Sequence, residues 1–186
     1  MNEEGLAYVR KVKEVLGSGY IGENSANRVI GELPDISTRI DALLSDACAD
    51  GDWQTVTTLA NLARWVAPTG LTERLIPILE ARPRGVNKED LVEILGELES
   101  ESAVPVIARV FEEELDGDAP GYWLCKKCIA ALGAVHFALQ GARTSDAADF
   151  LRQVATGDYP NQLKWEAAVE LGIEDDLGFD EDEMTA

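Results

Sequence analysis

Apolar residues recur at three- and four-residue intervals along almost the whole chain, which is the spacing of one face of an α-helix. Segment 88–98 shows the pattern clearly, with Leu91, Ile94, Leu95 and Leu98 on one face. No stretch has the sustained alternation of apolar and polar residues that is typical of a strand. The sequence therefore predicts an all-α protein of about ten helices joined by short links.

Glycine, proline and short polar residues between the apolar stretches indicate where helices begin and end. Ser25, Ser37 and Asn87 are predicted helix caps, because their side-chain oxygens can accept from first-turn amides. The predicted helices cover 6–16, 26–33, 36–47, 53–67, 72–81, 88–98, 102–115, 122–137, 145–156 and 161–171.

The charge balance restricts the class of partner. The 186 residues include 35 Asp and Glu against 16 Lys and Arg, a net charge of −19, while 46% of residues are apolar. The apolar fraction is that of a folded protein. Phosphate groups demand a basic face, so the charge disfavours binding to nucleic acid or to an anionic membrane.

Other features predict a cytoplasmic location. No apolar run approaches the roughly 18–20 residues that a membrane helix needs. The first residues, MNEEGLAYVRKVKEVLG, lack the basic start and apolar stretch of a signal peptide. Three cysteines (Cys48, Cys125 and Cys128) form an odd and sparse set, which argues against a disulfide scaffold.

A weak internal repeat is present in the second half of the chain. Segments 91–115 and 128–155 each have Leu-Gly late in one helix, a linker, and an apolar second helix. Segment 58–81 follows the same plan, and Pro77 is expected near the start of its second helix, as Pro105 is in its own. Gly96 is expected to permit close helix approach, because a mid-helix glycine costs helix propensity.

The segment ILGELESESAVP (94–105) resembles the "ALGELGDPRAVP" pattern of the HEAT-like repeat family, including its bacterial short-repeat type. The resemblance is clearest over 53–172. It implies a right-handed α-solenoid of antiparallel helix pairs, in one domain over 1–173. Members of the family mostly bind other macromolecules along the face formed by the second helices.

The tail 174–186 holds seven acidic residues and no basic one. With so few apolar groups it is expected to remain mobile and solvated. Divalent-cation binding by this tail is a lesser alternative.

Cys125-Lys-Lys-Cys128 is the most distinctive chemical motif, since Cys-x-x-Cys can bind zinc or exchange disulfides. On one helix His136 lies roughly 16 Å along the axis from Cys125, so the two cannot share a metal. Cysteines at this spacing on an amphipathic helix are more often packed as small apolar residues. His136 is expected to be structural, because no nucleophile stands beside it in the sequence.

Acidic residues crowd the end of the predicted helix 102–115, where negative charge opposes both the helix dipole and its own neighbours. Such a cluster either complements a basic partner or is a merely soluble surface. The candidate partner-binding residues are Glu97, Glu101, Glu112, Glu113, Asp116 and Asp149.

The sequence therefore predicts a non-catalytic interaction module, without cofactor or metal, that presents an acidic surface to a protein with a basic patch. One version is a bacterial immunity or inhibitor protein that covers the basic groove of a nuclease-type toxin. The alternative is a small enzyme, redox protein or metal protein that uses Cys125 and Cys128. A monomer or weak homodimer is expected.

Overall fold

The computed structural model describes residues 1–17, 21–139 and 145–179. Over these ranges the chain forms ten α-helices, one 3-10 helix and no strand, which confirms the prediction of an all-α protein. The helices are α1 (Glu3–Leu16), α2 (Glu23–Glu32), α3 (Ile36–Asp50), α4 (Trp53–Val66), α5 (Leu71–Ala81), α6 (Lys88–Glu97), α7 (Val104–Glu114), α8 (Trp123–Ala138), α9 (Asp146–Thr156) and α10 (Asn161–Leu171), with the 3-10 helix Glu101–Ala103 before α7.

The cap predicted at Asn87 is confirmed, because its side-chain oxygen accepts from the backbone N–H of Asp90 at 3.3 Å. The two serine caps are wrong. Helix α2 has Gly22 at its N-cap, and Ser25 lies inside the helix, where its hydroxyl donates to the Gly22 carbonyl at 2.8 Å. Helix α3 has Asp35 at its N-cap, so Ser37 is already the second helical residue. Both helices begin one or two residues before the predicted serine, which the apolar pattern cannot specify.

Contacts divide the chain into two compact units, Met1–Ile94 and Leu95–Ala186, with the boundary inside α6. In the first unit α2 contacts α1, α3 and α4, and α4 contacts α3 and α5. In the second unit α8 contacts α7, α9 and α10, and α7 also contacts α9. The single repeat domain over 1–173 stays a prediction.

Each unit has its own apolar core. The helices supply it from one face each, as their sequence spacing requires. Fully buried side chains of the first unit include Ile36, Ile40, Leu59, Leu62, Leu75 and Leu79. In the second unit Phe111 of α7 is fully buried, and its ring meets the rings of Phe150 at 5.5 Å and Tyr159 at 5.7 Å, both edge to face.

Pro77 lies in the middle of α5, not near the start of a helix, so that prediction is wrong. A mid-helix proline cannot donate to the carbonyl four residues earlier. Pro77 also lines an open apolar groove of about 270 Å³ beside α3, together with Leu44, Cys48 and Ile78.

Gly96 permits close helix approach, as predicted. A Cβ atom on Gly96 would lie 2.6 Å from the Cα of Ala131, so the backbones of α6 and α8 touch there. Gly133 of α8 has the same role toward α10, because the carboxyl group of Glu170 occupies the place of a side chain.

Only the start of the acidic tail is described. Residues Glu174–Phe179 form successive turns, in which Phe179 donates its backbone N–H to the Glu174 carbonyl at 3.2 Å. The remaining residues of the tail, 180–186, lie outside the described part of the chain, as do 140–144.

Candidate functional site

All six candidate partner-binding residues are exposed and belong to the second unit. Glu97 ends α6, and Glu101 begins the 3-10 helix before α7. Glu112 and Glu113 lie in the last turn of α7, and Asp116 follows that helix. The structure therefore places them at opposite ends of α7, about 15 Å apart along its axis.

Asp149 lies in the first turn of α9 and directly precedes Phe150, whose ring contacts Phe111 of α7. It already accepts a hydrogen bond from Arg152 at 3.0 Å, one turn along α9. We define the α7 acidic end as Glu112, Glu113 and Asp116.

Negative charge is concentrated in the second unit. Residues 95–186 include 20 acidic and 6 basic residues, a net charge of −14. Residues 1–94 include 15 acidic and 10 basic residues, a net charge of −5. The total charge alone did not reveal this asymmetry, but a count over each half of the sequence would have.

At the α7 acidic end, negative side chains meet the negative end of the helix. The last turn of α7 contains no basic residue, and its terminal carbonyls carry partial negative charge. Asp118, the next acidic residue along the chain, has a structural role. Its carboxylate accepts a hydrogen bond from the backbone N–H of Cys125 at 2.8 Å and so holds the start of α8.

Cys125 and Cys128 are buried in the packed side of α8. Burial, and then the hydrogen bond and charge of Asp118, raise the pKa of the Cys125 thiol to about 12. Burial likewise raises the pKa of the Cys128 thiol well above its ordinary value. Because the thiolate is the reactive and metal-binding form, these surroundings favour a packing role for both residues.

His136 is held near the beginning of α9. Its Nδ1 lies 3.4 Å from the hydroxyl of Ser145, which accepts from the backbone N–H of Ala148 and caps that helix. This contact agrees with the expected structural role. Among the residues that the structure describes, no three or more His, Cys, Asp and Glu side chains converge as metal ligands.

Sequence reasoning missed the outer face of α8. Trp123 is 71% exposed, and Phe137 on the same helix is 70% exposed. The sequence of α8 is apolar on all sides, which is typical of a buried helix, so it did not indicate that one side is exposed. An exposed apolar face of this kind is informative about binding.

Comparison with protein-family models, curated protein sequences and solved structures finds no match to this chain. The resemblance to HEAT-like repeats therefore remains a prediction from the sequence pattern. No helix in the described ranges combines the length and the apolar character needed to span a membrane.

Proposed function

We propose that the chain is a non-catalytic interaction module whose second unit binds a protein with a basic surface. The observation that carries the proposal is the concentration of charge, −14 in residues 95–186 and half of it in the tail 174–186, together with the exposure of the α7 acidic end. A surface of one sign attracts a partner of the opposite sign and raises the association rate.

The proposed architecture is a right-handed α-solenoid of antiparallel helix pairs. Its support is the pattern of neighbouring and next-but-one contacts, α7 with α8 and α9, and α8 with α9 and α10. No single helix pair can bury its apolar stripe, so stacked neighbours complete the core. The handedness follows from the family resemblance alone.

The position of the α7 acidic end supports the proposal. Glu112 and Glu113 lie in the last turn of α7, beside the negative end of its dipole. Lysine or arginine side chains of a partner would interact favourably with these carboxylates and with the terminal carbonyls of the helix. A surface of this kind suits a binding role.

The specific version that we propose is an inhibitor, acting in the cytoplasm, that covers the basic groove of a nucleic-acid-degrading toxin. Such a groove carries the lysines and arginines that hold phosphates. An acidic protein of this size can occupy it in place of the nucleic acid. The chain itself then needs no cofactor.

The test is affinity capture from the native cell extract, with the tagged chain as bait at about 50 mM salt and elution at about 1 M salt, where charge interactions are screened. We expect a basic protein to elute in stoichiometric amount. Adding the purified chain to that protein should then abolish its nuclease activity in a one-to-one ratio.

A variant bait controls for general stickiness. Neutralising Glu112, Glu113 and Asp116 to the matching amides should remove the partner from the eluate. An eluate without a basic protein would overturn the proposal. So would capture of the same amount of basic protein by the native chain and by this variant. A basic partner without nuclease activity would overturn only the inhibitor version.

A further inference from the structure

Helix α8 exposes two large aromatic side chains on one side. Trp123 and Phe137, the two most exposed of its large side chains, are 14 residues apart and hence on the same side of the helix. Their separation along the axis is about 21 Å. Ala130, between them on that side, is exposed as well. Exposed apolar surface that is contiguous along a helix face marks an interaction site.

Three residues between the aromatic pair complete the pattern. Lys127, Ala130 and Ala134 alternate with the two aromatics at spacings of four, three, four and three residues. This is the spacing of the contact positions in a coiled coil, where a second helix packs along the seam. We call these five residues the α8 seam.

The α8 seam is suited to an identical helix running the other way. Ala130 lies at its midpoint, seven residues from Trp123 and seven from Phe137. A second α8, antiparallel and centred on the same residue, places each tryptophan against the partner's phenylalanine. The alanines at the centre allow the two helices to approach closely, and an interface of this kind is isologous.

The charges beside the α8 seam are complementary in the same arrangement. The N-terminal half of α8 carries Lys126, which lies 3.7 Å from Glu166 of α10. The C-terminal half is flanked by Glu170, whose carboxyl group packs on Gly133. Since residue 126 of one copy faces residue 134 of the other, the Lys126 of each copy comes next to the Glu170 of its partner.

We propose that a second copy of this chain docks on the α8 seam, antiparallel, with the two-fold axis at Ala130. The proposal goes beyond the binding of a basic partner, which involves the α7 acidic end. Two second units of net charge −14 repel each other at long range. Screening by salt therefore strengthens this dimer, whereas it weakens the complex with a basic protein.

Sedimentation equilibrium of the full chain measures the association directly, at about 50 mM and about 500 mM sodium chloride. We expect a monomer–dimer equilibrium whose dissociation constant falls as salt rises. Ala130→Glu places a charge at the centre of the seam and should raise the dissociation constant about tenfold or more. Ala42→Glu adds the same group at an exposed position of α3 and should leave it unchanged.

Cross-linking tests the direction of the two helices in a Cys48→Ser background, which removes the more accessible native thiol. Ala130→Cys should form a disulfide-linked dimer on mild oxidation, because the two copies of this residue face each other. Ala134→Cys, also on the seam, should not, because antiparallel packing separates its two copies by about 12 Å along the axis, beyond disulfide reach.

Several outcomes would overturn the proposal. A chain that stays monomeric at both salt concentrations, or a dimer that tolerates Ala130→Glu, excludes a second copy from the seam. Efficient cross-linking through both introduced cysteines would indicate parallel helices. If the chain is monomeric with and without Ala130→Glu, and this substitution abolishes capture of another protein, the seam binds that protein instead.

Discussion

A Cβ atom on Gly96 would lie 2.6 Å from the Cα of Ala131, so α6 and α8 meet backbone to backbone. The atom that would be struck belongs to main chain and cannot swing aside. We expect Gly96→Ala to lower the free energy of unfolding by about 1–3 kcal/mol, the usual cost of overpacking. Urea unfolding followed by circular dichroism measures the change.

Gly31 provides the matched control. It lies in α2, and a Cβ there would meet no atom within 4 Å. Gly31→Ala should raise the free energy of unfolding by about 0.5–1 kcal/mol, because alanine restricts the unfolded chain. Equal effects of the two substitutions would mean that α6 and α8 are not in close contact.

Glu170 should give the stability a characteristic pH dependence. Burial, and then the charge of Glu166, raise the pKa of its carboxyl group above the ordinary 4.5. The contribution of this group to stability is therefore fully present below pH 4.5 and is lost as the pH rises through the raised pKa. At a pH above the raised pKa, the ionised carboxylate makes the native protein less stable than it would be with a neutral group.

Glu170→Gln isolates this effect, since glutamine keeps the shape that packs on Gly133. In dilute protein we expect the variant to melt at a higher temperature than the native chain at pH 7, and the difference to disappear near pH 4. Thermal unfolding at several pH values measures it. A difference that does not change with pH would show that packing, not charge, is responsible.

The helices themselves could be predicted because each buries one apolar face and ends at glycine, proline or polar residues. From Trp53 onward the predicted boundaries agree with the structure to within two residues. The first residues of α2 and α3 could not be predicted from Ser25 and Ser37, because hydroxyl groups suit caps and first turns equally well.

The surfaces could be predicted less well than the elements. The apolar composition of α8 does not tell which of its sides neighbouring helices cover, so the exposure of Trp123 and Phe137 was missed. The six acidic candidates are all exposed. Their positions relative to one another depend on how the helices pack, and linear spacing carries no information on that.

The cysteine pair should be unreactive in the native protein. Burial holds the pKa of Cys125 near 12 and that of Cys128 higher than usual, so almost no thiolate exists at pH 8. With a disulfide reagent we expect the half-buried Cys48 to react first, and the other two only as fast as the protein unfolds. Rapid native labelling of Cys125 would instead favour a redox role.

The salt dependence of affinity for the captured basic partner distinguishes recognition by charge from other modes of binding. The native chain should lose affinity steeply as salt rises from about 50 mM to about 500 mM. The Glu112→Gln, Glu113→Gln, Asp116→Asn variant should bind about tenfold or more weakly at low salt, with a flatter dependence. It should still fold, because all three side chains are exposed.

A control variant neutralises three exposed acids of the first unit, Glu3, Glu32 and Glu73, and so changes the net charge equally. Isothermal titration of all three proteins gives the comparison. We predict native affinity for this control and a loss confined to the α7 variant. Equal affinities for the two variants, or binding that does not respond to salt, would contradict recognition through the acidic second unit.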